Sequence, residues 1–247
     1  NANYQHFNSS GSEPARYYAV TNCSFVMNLF HSVDYIYNNN YVFKDRFDPE
    51  AGEYFNSDPE IYGRFFMTTN FVPDIRTLGL ADYSERGKGS TNMKFDLANN
   101  TMGAHVSEFP VGTYKKAHRH GADFHVFSVT GSGYSLLWYE EDEGFERVDW
   151  QHGVVFAPPD GMYHQHYNTS DEPARYLAIA LGSLRYPFTS EKMGLFSGVD
   201  VSVKDGGRQI EYEDQDPRIH GIFLDELKKN DGTSGMTDFI DETPYTK

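Results

Sequence analysis

The sequence predicts an all-β fold, an antiparallel sandwich or barrel of short strands, on three observations. From His125 onward, runs of about 5–7 strand-forming residues alternate with Gly, Pro and Asp punctuation. The strand–helix alternation of a βαβ fold is missing from this region. A segment also recurs: residues 5–19 read QHFNSSGSEPARYYA and residues 165–178 read QHYNTSDEPARYLA, matching at ten positions once one residue is inserted in the first copy. A repeated segment implies a repeated structural unit.

Taken in order, residues 1–24 read as the closing strands of a first, incomplete copy of a β domain, whose beginning is missing. Residues 25–102 show aromatics and asparagines in quantity, including Tyr35, Tyr37, Tyr41 and Phe43, but no sustained period, and read as an irregular linker. Residues 103–185 read as the complete copy. Within it, strands are expected at His125–Thr130, Tyr134–Tyr139, Phe145–Trp150, Val154–Ala157, His164–Asn168 and Ala174–Leu181. Residues 186–247 form a C-terminal extension. One short helix is expected there over Asp216–Asn230, because Ile219, Ile222, Phe223 and Leu227 recur near helical spacing and Lys228 and Lys229 close the last turn.

The composition sets limits. Of 247 residues, 21 are Lys or Arg and 36 are Asp or Glu, a net charge of −15. That excess of anions argues against sequence-independent binding to nucleic acid or to anionic membranes. Aromatics reach 16%, far from the profile of a disordered chain, and no apolar run approaches the roughly 20 residues of a membrane span. The single cysteine, Cys23, excludes an internal disulfide framework and makes a cytoplasmic location the expectation.

Four of the ten histidines form two His-x-His pairs in the strand-rich region: His118 with His120, and His164 with His166. On extended chain, residues two apart share a face, so each pair points both imidazoles the same way. Two neighbouring strands presenting histidines inward make a cage of neutral nitrogens for one divalent transition metal. Three such ligands leave coordination positions open for water, oxygen or substrate. The alternative is that each is a buried hydrogen-bonding histidine, and the clustering of two pairs weighs against it.

At this level of detail the chain resembles the cupin superfamily. Gly112, His118 and His120 match Gly-x5-His-x-His, with Gly131 at the expected distance. Gly153, Pro159, Gly161, His164 and Asn168 match every fixed position of Gly-x5-Pro-x-Gly-x2-His-x3-Asn. The resemblance implies a cupin double-stranded β-helix or jelly-roll barrel, and with the internal repeat it implies a bicupin. It also implies His118, His120 and His164 as metal ligands, with Gly161 and Asn168 structural. Tyr4 stands where the first copy would carry the equivalent of His164, so one metal site is expected. The glutamate usual in the first motif is missing: either Phe124 takes its place, giving an open three-histidine site, or His125 does, as a fourth ligand. The glutamate-free pairs Ala117-His118-Arg119-His120 and His164-Gln165-His166 resemble the gentisate 1,2-dioxygenase group of ring-cleaving cupins. That likeness implies Fe(II) as the first candidate metal, ahead of Mn, Zn, Ni or Cu, with dioxygen and a small aromatic or organic acid as reactants.

Phe124, Phe127, Trp138 and Tyr163 are candidates to line the substrate pocket, though strand alternation lets only part of such a set face the metal. His166 is the candidate for a catalytic role, orienting a ligand or relaying a proton. Among the cations Arg119, Arg175 with its repeat partner Arg16, Arg64 and Arg76, the sequence singles out none as a substrate anchor. Three readings follow: a metal-dependent dioxygenase, a metal-dependent lyase, decarboxylase or isomerase, and a non-catalytic ligand-binding cupin. Association into a homo-oligomer is expected from the bicupin resemblance.

Overall fold

A computed structural model of the chain describes residues 4–40, 52–98, 101–121, 124–183 and 198–245. The expected boundary at 185/186 and the residues Tyr41 and Phe43 lie outside these. Two short helices come first, α1 (Cys23–Phe30) and α2 (Val33–Tyr37). The strands are β1 (Glu60–Tyr62), β2 (Phe66–Thr69), β3 (Ala81–Asp82), β4 (Thr91–Leu97), β5 (Met102–Phe109), β6 (Ala117–His118), β7 (His125–Thr130), β8 (Gly133–Trp138), β9 (Glu146–Trp150), β10 (Val155–Phe156), β11 (Tyr163–Asn168), β12 (Ala174–Leu181) and β13 (Gln209–Ile210). Helix α3 (Pro217–Lys229) follows.

The strands form two sheets. One runs β1-β2-β4-β5-β12-β7-β10, with β3 paired to β4; the other runs β13-β6-β11-β8-β9. They are placed face to face. Lys115, leading into β6, reaches across to Ser107 on β5, and His166 on β11 packs against Tyr176 on β12. Every strand expected from His125 to Leu181 is present within a residue or two of its expected ends.

The stretch from 25 to 102 is more regular than its pattern suggests, since it supplies β1 to β4. The reason is visible in β4. Its cross-strand partners place Asn92 beside Ser107 and Lys94 beside His105, on the face toward the second sheet. Met93 instead packs with Met67, Phe95, Val106 and Leu177 on the opposite face. The polar set faces inward, the reverse of the usual pattern, so the alternation does not read as a core strand.

The outer face of the second sheet is closed by α3. Asp216 caps this helix by accepting from the Arg218 N–H, and Pro217 takes the first turn, where no N–H is needed. Ile219, Phe223 and Leu227, four apart, fall on one stripe and bury against Tyr114, Tyr134, Leu136, Trp138, Tyr163 and Tyr167.

Local side-chain contacts of the repeat recur in both copies, although residues 4–19, expected as closing strands, form no strand. In the second copy the Asn168 side chain donates to the Glu172 carbonyl at 2.9 Å and accepts from the Ser170 N–H at 3.0 Å. In the first, Asn8 donates to the Glu13 carbonyl at 2.8 Å and accepts from the Ser10 N–H at 3.0 Å. The His166–Tyr176 ring pair, 5.2 Å apart, has its counterpart in His6–Tyr17 at 4.9 Å. The second copy is inserted in the sheets, whereas the first is exposed along residues 4–19.

Candidate metal centre

β6 and β11 pair antiparallel with His118 directly opposite His164. His120 follows β6 in a loop, and that loop is tied to the turn before β11 by the Gly161 N–H donating to the His120 carbonyl at 3.0 Å. Gly161 takes φ 69°, a left-handed conformation that glycine adopts without strain, which is what lets the turn close here. The three rings converge, with centroids 4.2 Å apart for His118–His164, 4.7 Å for His120–His164 and 5.2 Å for His118–His120. One ligand nitrogen from each lies within 4.8 Å of the others, and all three residues are buried. Among the described residues, no other group of three His, Cys, Asp or Glu side chains meets in this way.

Burial keeps these rings neutral, the form that binds a metal. It pushes the imidazolium of His120 down to about 4 and holds His118 and His164 well below the ordinary histidine value, aided by nearby positive charge. The second nitrogens decide which atom is free. His120 Nδ1 meets the Gly121 carbonyl at 2.7 Å and His164 Nδ1 meets the Met162 carbonyl at 3.1 Å. A carbonyl only accepts, so the proton sits on Nδ1 and Nε2 is left with its lone pair outward. His118 differs: its Nδ1 faces the Arg86 guanidinium at 2.5 Å, a group that only donates. Two members of the triad therefore stand in the ligating tautomer, while for His118 to ligate through Nε2 its proton must move to Nδ1, which the Arg86 donor opposes. The set of three imidazoles, with no carboxylate in the group, is of the kind that suits a divalent transition metal.

The remaining candidates separate by face. His125 and Phe127 on β7 pair with Ile179 and Leu177 on β12, while Val126 and Ser128 pair with Ala178 and Tyr176. The second set faces the interior. His125 is therefore not brought to the triad, and Phe127 is directed outward, where it stacks on Tyr18 with centroids 6.1 Å apart. Phe124 is brought to it, with its ring 4.7 Å from His120 and 5.3 Å from His105. Trp138 and Tyr163 do not line the site: they stack on each other in the cluster under α3. Tyr163 neighbours His164 along the chain and so must point the opposite way. His166 does face the interior. Its ring lies 5.6 Å from His164 and its Nδ1 is 2.7 Å from the Ser135 hydroxyl, which also accepts from Trp150 Nε1 at 3.1 Å. Burial pushes its imidazolium down to about 3.

Arg119 pairs with Glu140, Arg175 with Glu108, Arg64 with Glu85 and Arg76 with Asp74. The interior cations are others, which sequence reasoning missed. Arg86 is 3% exposed and gives its protons to the Val199 and Lys116 carbonyls, Gln209 Oε1 and His118. Lys115 is likewise 3% exposed. Its place in Lys115-Lys116 reads as surface. Counting back by twos from His118 also puts Lys115 on the wrong face, because β6 is only Ala117–His118 and the chain before it is irregular.

No protein-family model matches the sequence, and no curated protein matches it. Solved structures that match part of the chain include oxalate decarboxylase from Bacillus subtilis at pH 4.6, at 21% identity and a TM-score of 0.35 over 38% of this chain and 26% of that one. The match thus spans about a quarter of that decarboxylase. A cupin 2 conserved barrel domain protein from Rhodopseudomonas palustris matches at 19% identity and a TM-score of 0.33, covering 38% of this chain and 61% of its own. The cupin domain of Schizosaccharomyces pombe Cnp3 matches at 14% identity and a TM-score of 0.35, covering 44% and 68%.

Proposed function

We propose that this chain is a cupin-type metalloenzyme that holds one divalent transition metal between His118, His120 and His164 and acts on a small organic acid. The observation that carries this reading is the convergence of three buried, neutral imidazoles from the two motif segments, two of them with Nε2 fixed as the free atom by backbone carbonyls. An all-imidazole set without a carboxylate suits Fe, Zn, Cu or Ni better than Mn, whose preference is for oxygen ligands. Fe(II) is the first candidate, and the reaction proposed is a dioxygenation. When bound, the metal supplies a Lewis acid and a template for substrate and oxygen. The chain's own residues do the rest: Phe124 walls one side of His120, and Ser135 holds the His166 ring beside His164.

The repeated segment, with the same asparagine turn and the same His–Tyr ring pair in both copies, supports a bicupin in which residues 4–19 belong to a first cupin unit. Metal analysis of protein prepared without chelator, paired with oxygen uptake against hydroxylated aromatic acids, tests the functional reading. Iron near one per chain with substrate-dependent uptake is the expected result. Zinc or nickel with no uptake overturns the dioxygenase in favour of a lyase or isomerase, and absence of any bound metal overturns the enzyme reading.

A further inference from the structure

Beneath the histidine triad, a row of polar side chains crosses the inner face of the larger sheet where a core would ordinarily be apolar. Asn92 on β4 stands opposite Ser107 on β5, Ser107 opposite Tyr176 on β12, and Tyr176 opposite Ser128 on β7. Lys115 enters from the other sheet and lays its ammonium on this row, donating to Ser107 Oγ at 2.6 Å and to the Tyr176 hydroxyl at 3.2 Å. Asn92, Ser107, Lys115 and Ser128 are each no more than 3% exposed, while Tyr176 is half-buried.

Two features of the row are costly in an empty protein. Ser128 Oγ, a hydroxyl able to donate, is buried with no hydrogen-bond partner. Lys115 forms no ion pair among the described residues, and two of its three protons are met by neutral hydroxyls. A buried polar atom without a partner destabilises by roughly 1–3 kcal/mol, and an unpaired buried charge by more. Burial accordingly pushes the Lys115 ammonium below its ordinary value, and the charges acting on it are the Tyr176 phenol and the Arg86 guanidinium, with no carboxylate among them. Burial alone would raise the Tyr176 phenol; the Lys115 and Arg86 charges and the hydrogen bonds from Ser107 and Lys115 together bring it down.

We propose that Lys115, with Tyr176 and Ser128, is the anchor for the carboxylate of the organic acid that reaches the metal with its other end, while Ser107, whose own proton goes to the Thr91 carbonyl, positions the ammonium. The charge matches, since one ammonium flanked by neutral hydroxyls suits a single planar monoanion, whereas a phosphate calls for a denser set of donors. Tyr176 connects to the triad through His166, with ring centroids 5.2 Å and then 5.6 Å apart. The ligand class rests on the metalloenzyme reading, but anion capture by Lys115 does not.

The test is calorimetric titration of the whole chain, metal-free and after loading with Zn(II), using acetate and salicylate as probes and their uncharged amides as controls. The acids are expected to bind the metal-free protein more tightly than the amides do. Lys115→Met is expected to weaken acid binding at least tenfold and to leave metal stoichiometry unchanged. Equal acid affinity in the native chain and Lys115→Met overturns the proposal, and so does failure of both acids to bind the native chain. If Lys115→Met does not fold, Tyr176→Phe replaces it: it keeps the ring and removes the hydroxyl, and a severalfold loss of acid affinity is expected, with no loss overturning the proposal. A chain that binds acids through Lys115 yet takes up no metal leaves the anchor standing and removes the metalloenzyme.

Discussion

Acidification of the metal-free protein should destabilise it steeply, through histidines that the fold keeps neutral. His166 is pushed down to about 3 and His120 to about 4 by burial, against about 6.5 in an unfolded chain. The sign follows from proton counting: below about pH 6.5 the unfolded chain binds protons at these positions and the folded chain does not, so stability falls as pH falls. Between pH 7 and pH 5 each such histidine costs about 2 kcal/mol by this linkage, about 4 kcal/mol for the two. That is a large share of the roughly 5–15 kcal/mol that holds a domain together. Urea unfolding in the presence of chelator is the assay, with an expected drop in midpoint of about 1–2 M from pH 7 to pH 5. His118 and His164, also held well below the ordinary value, add to this fall, and His166→Gln should remove only its own share of about 2 kcal/mol. A midpoint unchanged between the two pH values, or one that rises on acidification, refutes the burial of neutral imidazoles on which the site depends.

Other consequences concern individual residues. His125→Ala, which alters an outward-facing side chain of β7, should retain the native metal stoichiometry by elemental analysis; loss of the metal would contradict the face assignment. Arg86→Gln replaces an obligate donor at His118 Nδ1 by a side chain able to accept, and should tighten Zn(II) binding about tenfold in a competition titration. Phe223→Ala opens a void under α3, where the ring is fully buried, and should cost about 3–5 kcal/mol in urea unfolding.

The strands of the second half were legible because Gly, Pro and Asp bracket them, and the pairing of His118 with His164 follows from two motifs at fixed offsets. Faces were less legible than strands. Trp138 and Tyr163 sit next to the ligand segments in sequence, but alternation and the arrival of α3 turn them into the outer core. β4 was missed because its inward residues Asn92, Lys94 and Asp96 are polar, so the periodic signal that marks a core strand is inverted. Lys115 and Arg86 were missed for a related reason. Nothing local distinguishes a surface lysine from one that crosses a sandwich to meet Ser107 and Tyr176, since only tertiary contacts remove it from water.

The central claim is that His118, His120 and His164 together hold one metal ion. The most direct measurement is the bound-metal stoichiometry of the native chain and of His164→Ala, each loaded with Fe(II) without oxygen, freed of loose metal and analysed by mass spectrometry, with circular dichroism confirming that both fold. The account predicts about one ion per native chain and little or none in His164→Ala. The same stoichiometry in both proteins would contradict it.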